Sequence, residues 1–216
     1  VSHYLEHMMF KGTETIAADE LNRRFDCIGA RNNAYTSAEM TCFYAHVIPE
    51  RLTEATDLLG QMLRPALRQD DFDKEKSVIL EEIAMYKDEP YWVLYEQTMA
   101  RHYGEHPLGY RVLGTDETIK AMTSGQMRAY FDQRYSADNT VVALAGRVEH
   151  DAAVKQIEGL CGAWRPTRVG RDQATPRVGG GEFEIRDEKV TRGYMLGLSA
   201  GPAMSDDRRD AAVLAA

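Results

Sequence analysis

The chain has 216 residues, enough for one domain of ordinary size and part of another. Its apolar share of 44% is sufficient for a packed core, and its formal charge of −8 argues against nucleic acid as a partner, since phosphate binding needs a basic surface. No apolar run reaches the length of a membrane span, and three widely spaced cysteines (Cys27, Cys42, Cys161) do not form a disulfide framework.

Residues 1–11 read as a helix that is apolar nearly all round, with Leu5, Met8, Met9 and Phe10 pointing in different directions, and such a helix is buried. It carries His3, Glu6 and His7 in the order H-x-x-E-H. Residues i and i+4 share a helical face, so His3 and His7 can offer two imidazole nitrogens to one metal ion. Glu6 lies about 60° round from His3 at about 100° per residue, so it can reach a water held there without becoming a ligand. Buried polar groups need partners, and a metal supplies them. The arrangement reads as zinc-assisted peptide hydrolysis with Glu6 as general base. Two core histidines with ordinary hydrogen bonds are the alternative.

Residues 17–27 follow as a helix with Leu21, Phe25 and Ile28 at helical spacing, stopped by Gly29. Residues 31–36 are extended, and 40–47 alternate and are rich in β-formers, which makes them a strand. Pro49 suits the first turn of a helix reaching about residue 68. Asp70 and Asp71 cap a long helix with Phe72, Ile79, Ile83 and Tyr86 on one stripe; Pro90 interrupts it, and a further helix runs to about residue 103. Short helices over 115–120 and 124–134, a strand buried on both faces over 139–146, and a helix over 150–160 come next. Residues 165–181, ending in Gly179-Gly180-Gly181, read as a linker. Two strands, 182–185 and 193–199, and a helix from about Ser205 then open what reads as a second domain. The chain starts inside its motif helix and ends in an alanine-rich helical pattern, so it is expected to be a piece of a longer protein.

Catalytic zinc usually takes three protein ligands and leaves one position open. The segment from Lys74 to Ile83 offers two adjacent glutamates, and helical geometry separates them. With Phe72 facing the core, Glu81 falls about 180° away, in water, whereas Glu82 falls at about −80°, bordering the buried face. Glu82 is therefore the expected third ligand. Glu75, two turns earlier on nearly the same line, is expected to orient a histidine or Glu82. Lys74 or Lys76 could instead pair these glutamates on a solvated flank. His102, His106, Tyr91, Trp92 and Tyr95 read as structural.

These residues resemble the pitrilysin, insulinase and mitochondrial-processing-peptidase family of metallopeptidases. The resemblance is carried by the run from Ser2 to Thr13, by Gly29-Ala30, by Asn33-Ala34-Tyr35-Thr36-Ser37 with Glu39, Thr41 and Tyr44, and by Glu75 to Glu82. Pro107-Leu108-Gly109 and Leu113-Gly114-Thr115 add to it. It implies an α+β fold, a mixed sheet packed by helices, with residues 1–165 as the catalytic domain, 166–181 as linker and 182–216 as the truncated start of a second, substrate-enclosing domain. It implies that His3, His7 and Glu82 bind Zn2+, that Glu6 is the base with Glu75 supporting catalysis, and that Asn33, Ala34 and Tyr35 form an edge strand for a peptide substrate. An extended peptide added to a sheet edge binds through main-chain hydrogen bonds, which tolerate many sequences.

Members of that family have two halves facing across a chamber, so the rest of the second half is expected from the same chain or from a homo- or heterodimer partner, and the piece alone is expected to be inactive. The rival reading within the family is a non-catalytic partner subunit. Lyases that cleave ribosyl thioethers share H-x-x-E-H but add a cysteine ligand, and here Cys27 and Cys42 come too early and Cys161 too late. The expected substrate is a short or unfolded peptide, with basic residues near the cut favoured by the acidic balance. The protein is expected to be soluble, in bacterial cytoplasm or periplasm.

Overall fold

The computed structural model describes residues 1–170, 175–176 and 178–215, so residues 171–174 and 177 of the expected linker lie outside the described residues. Two compact units emerge, Val1–Ala84 with Arg111–Gln173, and Met85–Tyr110 with Ala174–Ala216. Among the described residues no helix is long and apolar enough to cross a membrane.

In the first unit, helix α1 (Ser2–Met9) buries Tyr4, Leu5, Met8 and Met9 together with Glu6, as its all-round apolar character requires. It stops where the chain turns at Gly12, which has φ +87. A Cβ there would lie 2.5 Å from Ile16 O, so only glycine fits. Helix α2 (Ala18–Cys27) is amphipathic: Leu21 and Phe25 turn inward, while Glu20 pairs with Arg23 and Arg24 on the outer face.

The described sheet is one antiparallel hairpin, β1 (Arg31–Thr36) and β2 (Thr41–His46), in register from Arg31↔His46 to Thr36↔Thr41. The turn is closed by Ser37 N–H donating to Met40 O at 2.8 Å. Period-two alternation sends Asn32, Ala34 and Thr36 to the half-buried face and leaves Arg31, Asn33 and Tyr35 exposed.

After a 3-10 turn at Pro49–Arg51, helix α3 (Leu52–Met62) ends well short of residue 68. Pro65 disfavours helical conformation at the residue before it, and the segment is used instead to bridge Thr13 and to donate Ala66 N–H to Gly12 O. Helix α4 (Gln69–Lys87) buries Phe72, Glu75, Ile79 and Ile83 on one face. Tyr4 of α1 stacks on Phe72 with ring centroids 4.9 Å apart, and its hydroxyl donates to Phe72 O. That contact sets the two helices that matter below against each other.

Continuing in this unit, α6 (Asp116–Ala121) and α7 (Ser124–Arg134) each start with a threonine capping box. Helix α8 (His150–Cys161) packs on α3, where Gln156 Nε2 donates to Thr53 O and Asp57 Oδ1. The segment expected as a doubly buried strand over 139–146 is a correction. Thr140 is extended, but no ladder forms there among the described residues, and Val141 is 93% exposed. β-forming residues set an extended backbone; a strand also needs a neighbour to take its N–H and C=O groups.

In the second unit, α5 (Pro90–Tyr103) carries Trp92, which meets Tyr86, Tyr91 and Tyr95 edge-on. Arg101 lies 3.8 Å over the Phe183 ring, and Gly179 N–H donates to His102 O. The strands expected at 182–185 and 193–199 also lack ladder partners among the described residues, and α9 (Arg209–Ala215) starts later than Ser205.

Candidate metal centre

Three donor atoms converge in the first unit. His3 Nε2 lies 3.7 Å and His7 Nε2 3.6 Å from Glu82 Oε2, and the three groups offer atoms all within 4.8 Å of one another. The imidazole rings are 4.7 Å apart at 64°, as i and i+4 on one helix dictate. Glu82 arrives from α4, nearly three turns beyond the Tyr4–Phe72 stack, while Glu81 next to it is exposed.

Distance alone would make these contacts ion pairs, but burial, then the neighbouring His7 charge, brings His3 down to about 4. His3 is therefore neutral at pH 7 and turns no proton towards Glu82 by charge. Burial also raises the Glu82 carboxyl above its ordinary value; His7 opposes this, and Glu6 and Glu75 add to it. Glu82 Oε2 and His3 Nδ1 are buried without a hydrogen-bond partner among the described residues. An oxygen facing two imidazole nitrogens without a proton or cation between them is costly. A tetrahedral ion with bonds of about 2.0–2.1 Å sets its ligands roughly 3.3–3.4 Å apart, so separations of 3.6 and 3.7 Å need only a small closure. Two nitrogens and one carboxylate oxygen fit a zinc-sized divalent ion.

Glu75 is 5% exposed and contacts no ligand position; it lies 2.8 Å from His7 Nδ1 and 2.5 Å from Lys11 Nζ. Burial would raise its carboxyl, but hydrogen bonds to His7 and Lys11 outweigh this and hold it below the ordinary value. It is therefore ionised and accepts a hydrogen bond from Nδ1–H, which leaves Nε2 of His7 facing Glu82. At His7 burial acts to lower the pKa, but the hydrogen bond and charge of Glu75, with the charges of Glu82 and Glu6, outweigh this and raise it. Glu6 is 8% exposed beside the histidines, and its Oε2 accepts a hydrogen bond from Thr36 Oγ1.

Asn33, Ala34 and Tyr35 lie along β1, which has β2 as its one neighbour among the described residues. Asn33 Oδ1 accepts from Ala34 N–H at 2.9 Å. Lys11 and Thr36 escaped the reading of the sequence as site residues. Lys11 is one helical turn beyond His7, and Thr36 shares the half-buried face of its strand with Ala34; spacing could have flagged both. His106 Nδ1 accepts from Leu108 N–H and His102 Nδ1 lies 3.1 Å from Gly179 O, which are structural uses.

Comparison with known proteins places this geometry in context. The family model described as Insulinase (Peptidase family M16) matches residues 1–116, and that described as Peptidase M16 inactive domain matches residues 121–216. A Bacillus subtilis protein named as the uncharacterized zinc protease YmxG is 38% identical over 193 residues, covering 89% of the chain and 45% of the relative. A Mycobacterium leprae protein, the uncharacterized zinc protease ML0855, is 37% identical over 211 residues, covering 97% and 44%. The chain thus spans less than half the length of these relatives. A protease from Helicobacter pylori superposes with TM-score 0.73 at 23% identity, covering 81% of the chain and 43% of that structure. Pitrilysin superposes with TM-score 0.70 at 21% identity, covering 82% and 20%. At such identities the two structures speak for the fold.

Proposed function

The chain belongs to the insulinase family of peptidases, family M16, and on that premise we propose that it carries the catalytic half of a zinc-dependent endopeptidase acting on short or unfolded peptides. The observation that carries this reading is the convergence of His3 Nε2, His7 Nε2 and Glu82 Oε2, with Glu6 buried beside them. His3, His7 and Glu82 would hold the ion. Zinc bound there supplies Lewis acidity, which makes water acidic near neutral pH and polarises a carbonyl.

The chain's own groups do the rest. Glu6 takes the proton of the attacking water and later delivers it to the leaving amine, so its carboxylate is restored at the end of the cycle. Glu75 keeps the proton of His7 on Nδ1 and thereby aims Nε2 inward. The open edge of β1 at Asn33, Ala34 and Tyr35 pairs with the peptide backbone. Residues 1–165 then act as the catalytic domain, with 166–181 as linker and 182–216 as the start of the half that encloses substrate. The remainder comes from the same polypeptide or a partner subunit.

The test uses the full-length protein. Glu6→Gln should keep zinc and lose turnover of a quenched peptide, and His7→Ala should lose zinc by elemental analysis. Wild-type turnover in the first variant, or unchanged zinc in the second, would overturn the reading.

A further inference from the structure

The base of the proposed reaction is held by a residue that the chemistry above does not use. Thr36 closes β1 on its half-buried face, and its Oγ1 donates to Glu6 Oε2. It also lies 3.1 Å from Oγ1 of Thr41, its partner across the ladder. A carboxylate only accepts, so the Thr36 proton is committed to Glu6 and the Thr41 hydroxyl donates to Thr36. Both side chains are β-branched and stiff at χ1, and both are rooted in the last register pair of the hairpin. Among the described residues no other side chain hydrogen-bonds Glu6. With Oε2 taken by Thr36, Oε1 is the carboxylate oxygen left for a reacting water.

We propose, resting on the peptidase reading above, that Thr36 is the positioning residue for Glu6: its hydroxyl clamps Oε2 and so presents Oε1 to the attacking water. Because Thr36 directly follows the Asn33–Tyr35 segment, docked peptide and base are set by one rigid hairpin. A carboxylate free to rotate would lose the near-attack alignment on which proton transfer depends. A structural role makes a different forecast, since a hydroxyl that merely satisfies a buried carboxylate would affect stability and metal retention without touching turnover selectively.

The experiment takes the zinc-loaded full-length protein and a quenched fluorogenic peptide. Thr36→Val removes the O–H but keeps the shape, and should lower kcat about 10- to 100-fold, the range of a hydrogen bond to a charged group. KM should stay within about twofold and zinc content should not change. Thr36→Ser restores the hydroxyl and should recover kcat to within about threefold. In a Glu6→Gln background, Thr36→Val should reduce the residual rate no further, because the two act as one unit. Thr36→Ala removes the same hydroxyl with less bulk; should the valine variant misfold, it must show the kcat loss instead. Wild-type kcat in a folded hydroxyl-free variant, a defect in KM alone, loss of zinc, or an equal further loss in the Glu6→Gln background would overturn the assignment. A fully active Glu6→Gln enzyme would instead overturn the peptidase reading itself, while an inactive Glu6→Gln beside an unimpaired Thr36→Val removes Thr36 alone.

Discussion

Replacing Glu75 by glutamine should weaken zinc binding without removing a ligand. Glu75 Oε1 lies 2.8 Å from His7 Nδ1 and Oε2 lies 2.5 Å from Lys11 Nζ, in a side chain 6% exposed. Glutamine has nearly the same shape but one acceptor and one donor end. If its carbonyl faces His7, its amide N–H groups confront the Lys11 ammonium. If it faces Lys11, the amide donates to Nδ1 and forces the proton of His7 onto Nε2, the atom aimed at Glu82. Either orientation costs a proton or a repulsion at the site. Losing the partner of a metal-bound histidine typically costs about 10- to 100-fold in metal affinity, which is roughly 1.4–2.7 kcal/mol. Lys11 is 36% exposed and His7 24% exposed, so water can take over part of the lost bonding and the lower half of that range is expected. The assay is competition for zinc between the full-length protein and a chromophoric chelator at neutral pH. Glu81→Gln, a change at an exposed position on the same helix, serves as control. A zinc Kd for Glu75→Gln within about twofold of the parent would refute the argument that Glu75 acts through His7.

In the metal-free protein the same pair should make stability depend on pH. Glu75 is shifted below its ordinary 4.5, so its contribution is present above that value and is lost as pH falls through the folded pKa; His7 is shifted above its ordinary 6.5, so its contribution is present below 6.5 and is lost as pH rises through the folded pKa. The Tm difference between parent and Glu75→Gln without zinc should therefore be largest between those two ordinary values and shrink towards pH 9; a difference independent of pH would contradict the pairing. Gly12→Ala should destabilise the fold by about 1–3 kcal/mol or more, because its φ is +87 and its Cβ would lie 2.5 Å from Ile16 O; a denaturant midpoint equal to the parent's would show that this turn is not constrained as described. Leu5→Ala, at a fully buried position between His3 and His7, should cost about 2–5 kcal/mol in the same measurement, and a cost under about 0.5 kcal/mol, the level of a surface change, would place α1 outside the core. Peptides with lysine or arginine near the cut should be cleaved faster than neutral ones by the full-length protein if the acidic balance of these 216 residues steers substrate; equal rates would remove that idea.

Much of the candidate site was legible from local rules. The i, i+4 spacing of His3 and His7 fixes a shared face wherever the helix sits, and the same geometry sends Glu81 outward and Glu82 to the flank of the buried stripe. The hairpin was legible too, from alternation over residues 31–36 and 40–47. Local rules failed where pairing or breakage depends on something elsewhere in the chain. Residues 139–146 have strand composition, yet what composition delivers is an extended backbone, and Val141 stands in solvent because no ladder forms beside it. Helix α3 stops at Met62 because Pro65 and its neighbours are recruited to Gly12 and Thr13.

The amino-acid order alone determined the chemistry available: two imidazoles on one face, a carboxylate beside them, and a second helix with a glutamate on its inner flank. Those follow from residue type and helical period, which act over a few residues. Only the tertiary structure decided that Glu82 meets His3 and His7, through the stacking of Tyr4 on Phe72, and that Thr36 reaches Glu6, through the register of the hairpin. The physical reason is range. Backbone periodicity carries direction along one element, whereas the distance between elements is set by close packing of side chains that lie far apart in the chain.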